Sequence, residues 1–82
     1  KTGDAGDVEG VGGLHVECKH VEKLNLYNAY HQAVRDSDAN GNGNIPVVIH
    51  KRNREETLVT LSLDNFIQIY SASRNGGERG EL

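Results

Sequence analysis

The 82-residue sequence has a single cysteine, Cys18, and a single proline, Pro46. One cysteine excludes an intramolecular disulfide and points to a reducing compartment. No apolar run approaches the roughly 20 residues that span a bilayer, and the first residues carry no signal-peptide pattern. A soluble, cytoplasmic chain with no membrane partner is the expectation. His15, His20, His31 and His50 do not fall at zinc-ligand spacing. The glycine-rich stretch 41–44 lacks the Gly-Lys-Ser/Thr of a phosphate-binding loop. Basic excess is also missing. Nine Lys+Arg stand against 12 Asp+Glu, for a net charge of −3, which argues against a protein that simply coats DNA. There is no internal repeat and no sign of a second domain, and a chain this short buries only a modest core.

What is present is a set of short periodic segments. Residues 1–6 are glycine-rich and polar and read as a loop, 7–11 as a short strand, and Gly12-Gly13 as a turn. Residues 14–20 read as a second strand. Its alternation puts His15, Glu17 and Lys19 on one face, and Val16 and Cys18 on the other. Val16 and Cys18 are expected to face the core, with Cys18 a small buried hydrophobe, and His15 to be a strand-surface histidine. Asn25 is a candidate helix cap. After it Leu26, Ala29, Tyr30, Ala33 and Val34 recur at helical spacing, which predicts a helix to about Asp36. A flexible loop is expected over 38–44, an apolar strand over 45–50 that begins near Pro46, a charged turn over 52–56 and a β-branched strand over 57–62. A short helix starting at Ser62 or Asp64 would present Phe66, Ile67, Ile69 and Tyr70, and residues 71–82 read as loose. This order of elements predicts an α/β (α+β) domain, a mixed sheet flanked by helices.

The candidate chemistry lies on the second strand. A hairpin through Gly10, Gly12 and Gly13 would fold Asp7 back beside Glu17. Two carboxylates and the Lys19 ammonium would then converge, a grouping that holds Mg²⁺ through oxygen and sets a lysine near the water or phosphate the ion activates. A mid-strand Glu is costly unless paired or exposed, and a simple Glu17–Lys19 surface pair would contribute little. His50, Lys51, Arg52 and Arg54 form one basic cluster, and Lys19, His20 and Lys23 another. Such clusters serve either as phosphate contacts or as solvated turns.

From Gly3 to Tyr70 the residues resemble small bacterial and phage endonucleases of the PD-(D/E)xK superfamily, close to the Holliday junction resolvase branch. Gly6-Asp7-Val8 is similar to the Asp of the first motif, and Leu14-His15-Val16-Glu17-Cys18-Lys19 to the Glu-x-Lys strand. Leu24-Asn25-Leu26-Tyr27 with Gln32-Ala33 resembles the helix that follows. The run from Ile45 to Asn53 and Leu58-Val59-Thr60-Leu61 resemble the last strands. The resemblance implies a restriction-endonuclease-like core over residues 1–72. It implies Mg²⁺, with Mn²⁺ as a substitute, held by Asp7, Glu17 and the Cys18 backbone carbonyl. Lys19 would orient the attacking water and stabilise charge on the phosphate, and Gln32 would reach the site from the helix. Lys23, Lys51, Arg52 and Arg54 are the candidate DNA contacts.

The implied activity is a metal-dependent endonuclease that hydrolyses branched DNA such as Holliday junctions. It would act as a homodimer in a bacterial or phage-infected cell. A replication–repair or nicking nuclease of the same superfamily is an alternative, as is a non-catalytic DNA-binding module with the same fold. Three features depart from the family pattern. Gly12 stands where a proline is usual, and Glu9 where an apolar residue is usual. The family's opening helix and strand are missing, while the polar tail 73–82 resembles the start of that helix. A permuted chain, or one lacking its first helix, is therefore expected.

Overall fold

The computed structural model describes residues 2–8 and 12–76. Its elements are β1 (Thr2–Val8), β2 (Gly12–His20), α1 (Leu26–Asn40), β3 (Ile45–Lys51), β4 (Leu58–Thr60) and α2 (Leu63–Gly76). The strands form one mixed sheet in the order β1-β2-β3-β4. β1 and β2 pair antiparallel, β2 and β3 parallel, and β3 and β4 antiparallel. The parallel step needs a crossover, which α1 supplies. α1 therefore covers one face of the sheet and runs back against the direction of β2.

The position of α1 follows from its caps and its small residues. Asn25 is extended, and its side chain accepts a hydrogen bond from the Asn28 backbone N–H at 3.1 Å, which satisfies one of the unpaired donors of the first turn. The helix ends at Gly41, whose φ of 68° is left-handed and whose N–H bonds to the Ser37 and Asp38 carbonyls. That glycine stop lies beyond Asp36, so the segment read as a loop over 38–44 supplies the helix's last turn. Ala29, Ala33 and Ser37 fall on successive turns and are buried. Their small side chains let the helix approach the sheet closely. Val48 of β3, fully buried, lies beneath them, with Leu24, Leu26 and Tyr30 packed around. The Ser37 hydroxyl donates to the Asn44 carbonyl at 2.8 Å and ties the helix end to the entry of β3.

The opposite face buries Ile45 and Val47. Register places Leu14 beside Ile45, Val16 beside Val47 and Cys18 beside Ile49. Val16 is half-buried and Cys18 is exposed, so the expected burial of Cys18 is not observed. Alternation does put Cys18 on the Val16 face, but burial on that face falls at Ile45 and Val47 and does not extend to Cys18.

Other boundaries also differ from those read in the sequence. The strand expected over 7–11 begins at Thr2, because pairing with β2 overrides the weak strand propensity of a glycine-rich segment. Gly12 opens β2 instead of forming a turn with Gly13. β4 is only Leu58–Thr60. α2 is longer than expected and runs to Gly76, with the Ser62 hydroxyl accepting from the Asn65 N–H at 3.0 Å as its cap. The boundary expected between residues 72 and 73 thus falls inside α2, and residues 77–82 of the tail lie outside the described residues. Leu63, Phe66, Ile67 and Tyr70 form an exposed stripe on α2, with Phe66 stacked on Tyr70 at 6.2 Å between ring centroids. No described helix is long and apolar enough to cross a membrane.

Three substitutions test this packing by urea unfolding. Val48→Ala should cost about 2 kcal/mol. Gly41→Ala should cost about 1 kcal/mol through the backbone alone, because an added Cβ there meets nothing within 4 Å. Ile67→Ser, on the exposed stripe, should change stability by no more than about 0.5 kcal/mol. A large loss at Ile67 would mean that α2 is packed differently.

Candidate functional site

Two rows of polar side chains face each other between β2 and α1. On β2, His15, Glu17 and Lys19 are two residues apart and so follow one another by about 6.6 Å. On α1, Gln32, Asp36 and Asn40 are four apart, just over one turn, and follow by about 6 Å. The near-equal spacing, with the helix running against the strand, pairs the rows in reverse order. The Lys19 ammonium donates to Gln32 Oε1 at 3.4 Å. Asp36 offers a carboxylate oxygen within 4.8 Å of ligand atoms of both His15 and Glu17. Asn40 Nδ2 lies 3.2 Å from His15 Nδ1.

The strand side of the row is dry at His15 and Glu17, while its helix side is open at Gln32 and Asn40. His15 is 3% exposed and Glu17 4%, Asp36 is half-buried, and Gln32 is exposed. His15 Nε2 and Glu17 Oε2 are 3.0 Å apart. Because the carboxylate accepts, the hydrogen of this contact is on His15 Nε2, and Asn40 holds the ring at its other nitrogen. The His15 contact is the one hydrogen bond that the Glu17 carboxylate receives among the described residues. A carboxylate accepts about four, and at this burial so sparse a shell leaves its charge poorly compensated. A bound cation would complete that shell.

The expected pairing of Asp7 with Glu17 is corrected by the register. β1 sets Thr2 opposite Glu17, Asp4 opposite His15 and Asp7 opposite Gly13, with a bulge between Asp4 and Asp7. Gly13 is four residues from Glu17, about 13 Å along the strand. Because Val8 already pairs with Gly12, the hairpin holds Asp7 near its closed end. Of the other expected site residues, Lys19 and Gln32 are in contact, and Glu17 shares their face of the sheet but bonds to His15. Cys18, between Glu17 and Lys19, lies opposite Ile49 and beyond the last β1 partner pair. Lys23, Lys51 and Arg52 line one open pocket with Glu22, Glu55 and Glu56, whose carboxylates temper its positive charge. Arg54 is exposed in the adjoining turn at φ 67° and is not among the residues lining that pocket.

His15, read in the sequence as a surface histidine, is buried at the centre of the site. Asp36 and Asn40 were not singled out in the sequence at all. The signal was available in the spacing of Gln32, Asp36 and Asn40, a polar row of one-turn steps beside the alanine row. No protein-family model, no curated protein and no solved structure matches the chain, so its functional reading rests on these residues and on the resemblance they carry.

If the rows are arranged in this way, chemical denaturation should rank three variants. Glu17→Ala strands the His15 N–H and should cost about 2 kcal/mol, whereas Asn40→Ala should cost about 1 kcal/mol. Gln32→Ala, at an exposed and long contact, should stay within about 0.5 kcal/mol of the parent.

Proposed function

We propose that this chain is a metal-dependent endodeoxyribonuclease that hydrolyses phosphodiester bonds in branched DNA and works as a homodimer. The observation that carries the reading is the row formed by Glu17, Lys19 and Gln32. A buried carboxylate and, two residues on, an ammonium project on the helix-covered face, and a glutamine carbonyl oxygen steadies that ammonium. The β1–β2 hairpin followed by the α1 crossover to β3 is compatible with the restriction-endonuclease-like core that the sequence resembles.

In this reading Glu17 holds the ion; of the partners the resemblance implies, the Cys18 carbonyl adjoins Glu17, whereas the β1–β2 register sets Asp7 away from it. Mg²⁺ or Mn²⁺ bound there would supply Lewis acidity and a water acidified enough to act as a nucleophile near neutral pH. Lys19 turns its ammonium toward the attacking water and the charge that develops on the phosphate. Gln32 Oε1 limits where that ammonium can go, so Gln32 acts as a positioning residue. α1 keeps bulk water from Glu17 and strengthens its electrostatic interactions. Lys23, Lys51, Arg52 and Arg54 hold the phosphate backbone, which orients DNA without reading its sequence. A symmetric dimer would present two such sites for paired nicks.

The register that sets Asp7 about 13 Å along β2 from Glu17 favours a second reading, a DNA-binding module that keeps the fold without cutting. A replication–repair or nicking nuclease would share the site and differ in the DNA it accepts.

Cleavage of labelled four-way junction, flap, nicked, duplex and single-stranded DNA in Mg²⁺ or Mn²⁺ separates these readings. Paired symmetric incisions of the junction, reduced about 100-fold or more in both Glu17→Ala and Lys19→Ala, are expected. Incision of the flap or nicked substrate alone would shift the assignment to a nicking nuclease. A folded protein that binds junctions and cuts nothing would overturn the enzyme reading.

A further inference from the structure

We propose that His15, Glu17 and Asp36 form a site for a divalent transition metal, with Mn²⁺ favoured over Mg²⁺. The proposal shares only Glu17 with the nuclease reading and replaces Asp7 with His15 and Asp36 as its co-ligands, so binding can be read apart from cleavage.

The His15–Glu17 distance fits one ion. Two ligand atoms on adjacent octahedral positions, each about 2.1 Å from the metal, are about 3 Å apart. His15 Nε2 and Glu17 Oε2 stand at 3.0 Å. The three donor atoms lie within 4.8 Å of one another, somewhat more than the separation of about 4.2 Å across such an ion. The remaining closure falls to Asp36, the half-buried member. Two carboxylates balance a double positive charge, and the ion gives the buried Glu17 the compensation that one hydrogen bond does not. An imidazole among the ligands suits transition metals better than Mg²⁺, which prefers oxygen and water. An open pocket lined by His15, Asp36, Ala39 and Asn40 is the route of entry.

Binding would replace the Nε2–H contact with Glu17 by a metal bond at Nε2. The metal takes the Nε2 lone pair, the Nε2 hydrogen is lost to water, and the bound ring carries its hydrogen on Nδ1, where Asn40 Oδ1 accepts it. Asn40 is therefore a positioning residue that holds the ring through its second nitrogen.

The test is a Mn²⁺ titration followed by electron paramagnetic resonance of the free ion. The chains are the parent, Asp36→Asn, His15→Gln and Asp7→Asn, each checked for folding by circular dichroism, with junction cleavage run in parallel. The parent should bind Mn²⁺, with affinity at least about 10-fold lower in Asp36→Asn and in His15→Gln, and within about twofold of the parent in Asp7→Asn. Should His15→Gln fail to fold, the half-exposed Asp36 carries the test alone. Mg²⁺ should compete for the site only at an excess of about 10-fold or more. Equal competition by Mg²⁺ would overturn the imidazole as a ligand. Mn²⁺ binding unaffected by Asp36→Asn would overturn the triad, and the nuclease reading would then stand or fall on its own cleavage result. Mn²⁺ bound at the triad by a chain that never cuts would support the site and overturn the nuclease. Failure of the folded parent to bind Mn²⁺ would overturn the site.

Discussion

Burial of the Glu17 carboxylate beneath α1 is the constraint on which the rest of the structure turns. A carboxylate at 4% exposure is costly to keep charged in a dry environment, and only a specific arrangement makes it tolerable. His15 donates to it at 3.0 Å, and Asn40 Nδ2 lies 3.2 Å from the ring's other nitrogen. Asn40 reaches that position because α1 continues to its last turn before Gly41 stops it. The helix lies close enough for these contacts because the row that touches the sheet is Ala29, Ala33 and Ser37, which adds almost no bulk. Lengthening the small residues of that row would lift the helix and leave Glu17 without its cover.

The site has a direction. At one end His15, Glu17 and Asp36 form a largely buried cluster of potential ligands. At the other end the Lys19–Gln32 contact is exposed, and the next residues along the sheet lead to the open pocket lined by Lys23, Lys51 and Arg52. That pocket mixes its cations with the carboxylates of Glu22, Glu55 and Glu56. The equal pitch of the strand and helix rows makes this arrangement possible, since each step along β2 is matched by one turn of α1.

Much of this was legible in the sequence, and the rest was hidden for identifiable reasons. The alternation of β2 put His15, Glu17 and Lys19 on one face correctly, because strand periodicity is a local property. Which face would be covered was not legible from β2 alone. The choice belongs to the crossover helix between two parallel strands, and it is why His15 is buried and Cys18 exposed. The cap at Asn25 could be read directly. The helix end could not, because the polar residues 36–40 look like a loop until their contacts with His15 and Asn44 are known. The register of β1 was the least legible feature. Glycines at 3, 6, 10, 12 and 13 leave the segment few large apolar side chains to fix pairing, so the position of Asp7 followed from the hairpin and not from the carboxylates.

The account's central claim is that Glu17 is a metal ligand. The most direct test is an anomalous difference map from crystals of the chain grown with Mn²⁺. The account predicts a peak at bonding distance, about 2.2 Å, from the Glu17 carboxylate beneath α1. Well-ordered Glu17 density still bonded to His15, with Mn²⁺ bound elsewhere or not at all, would contradict it.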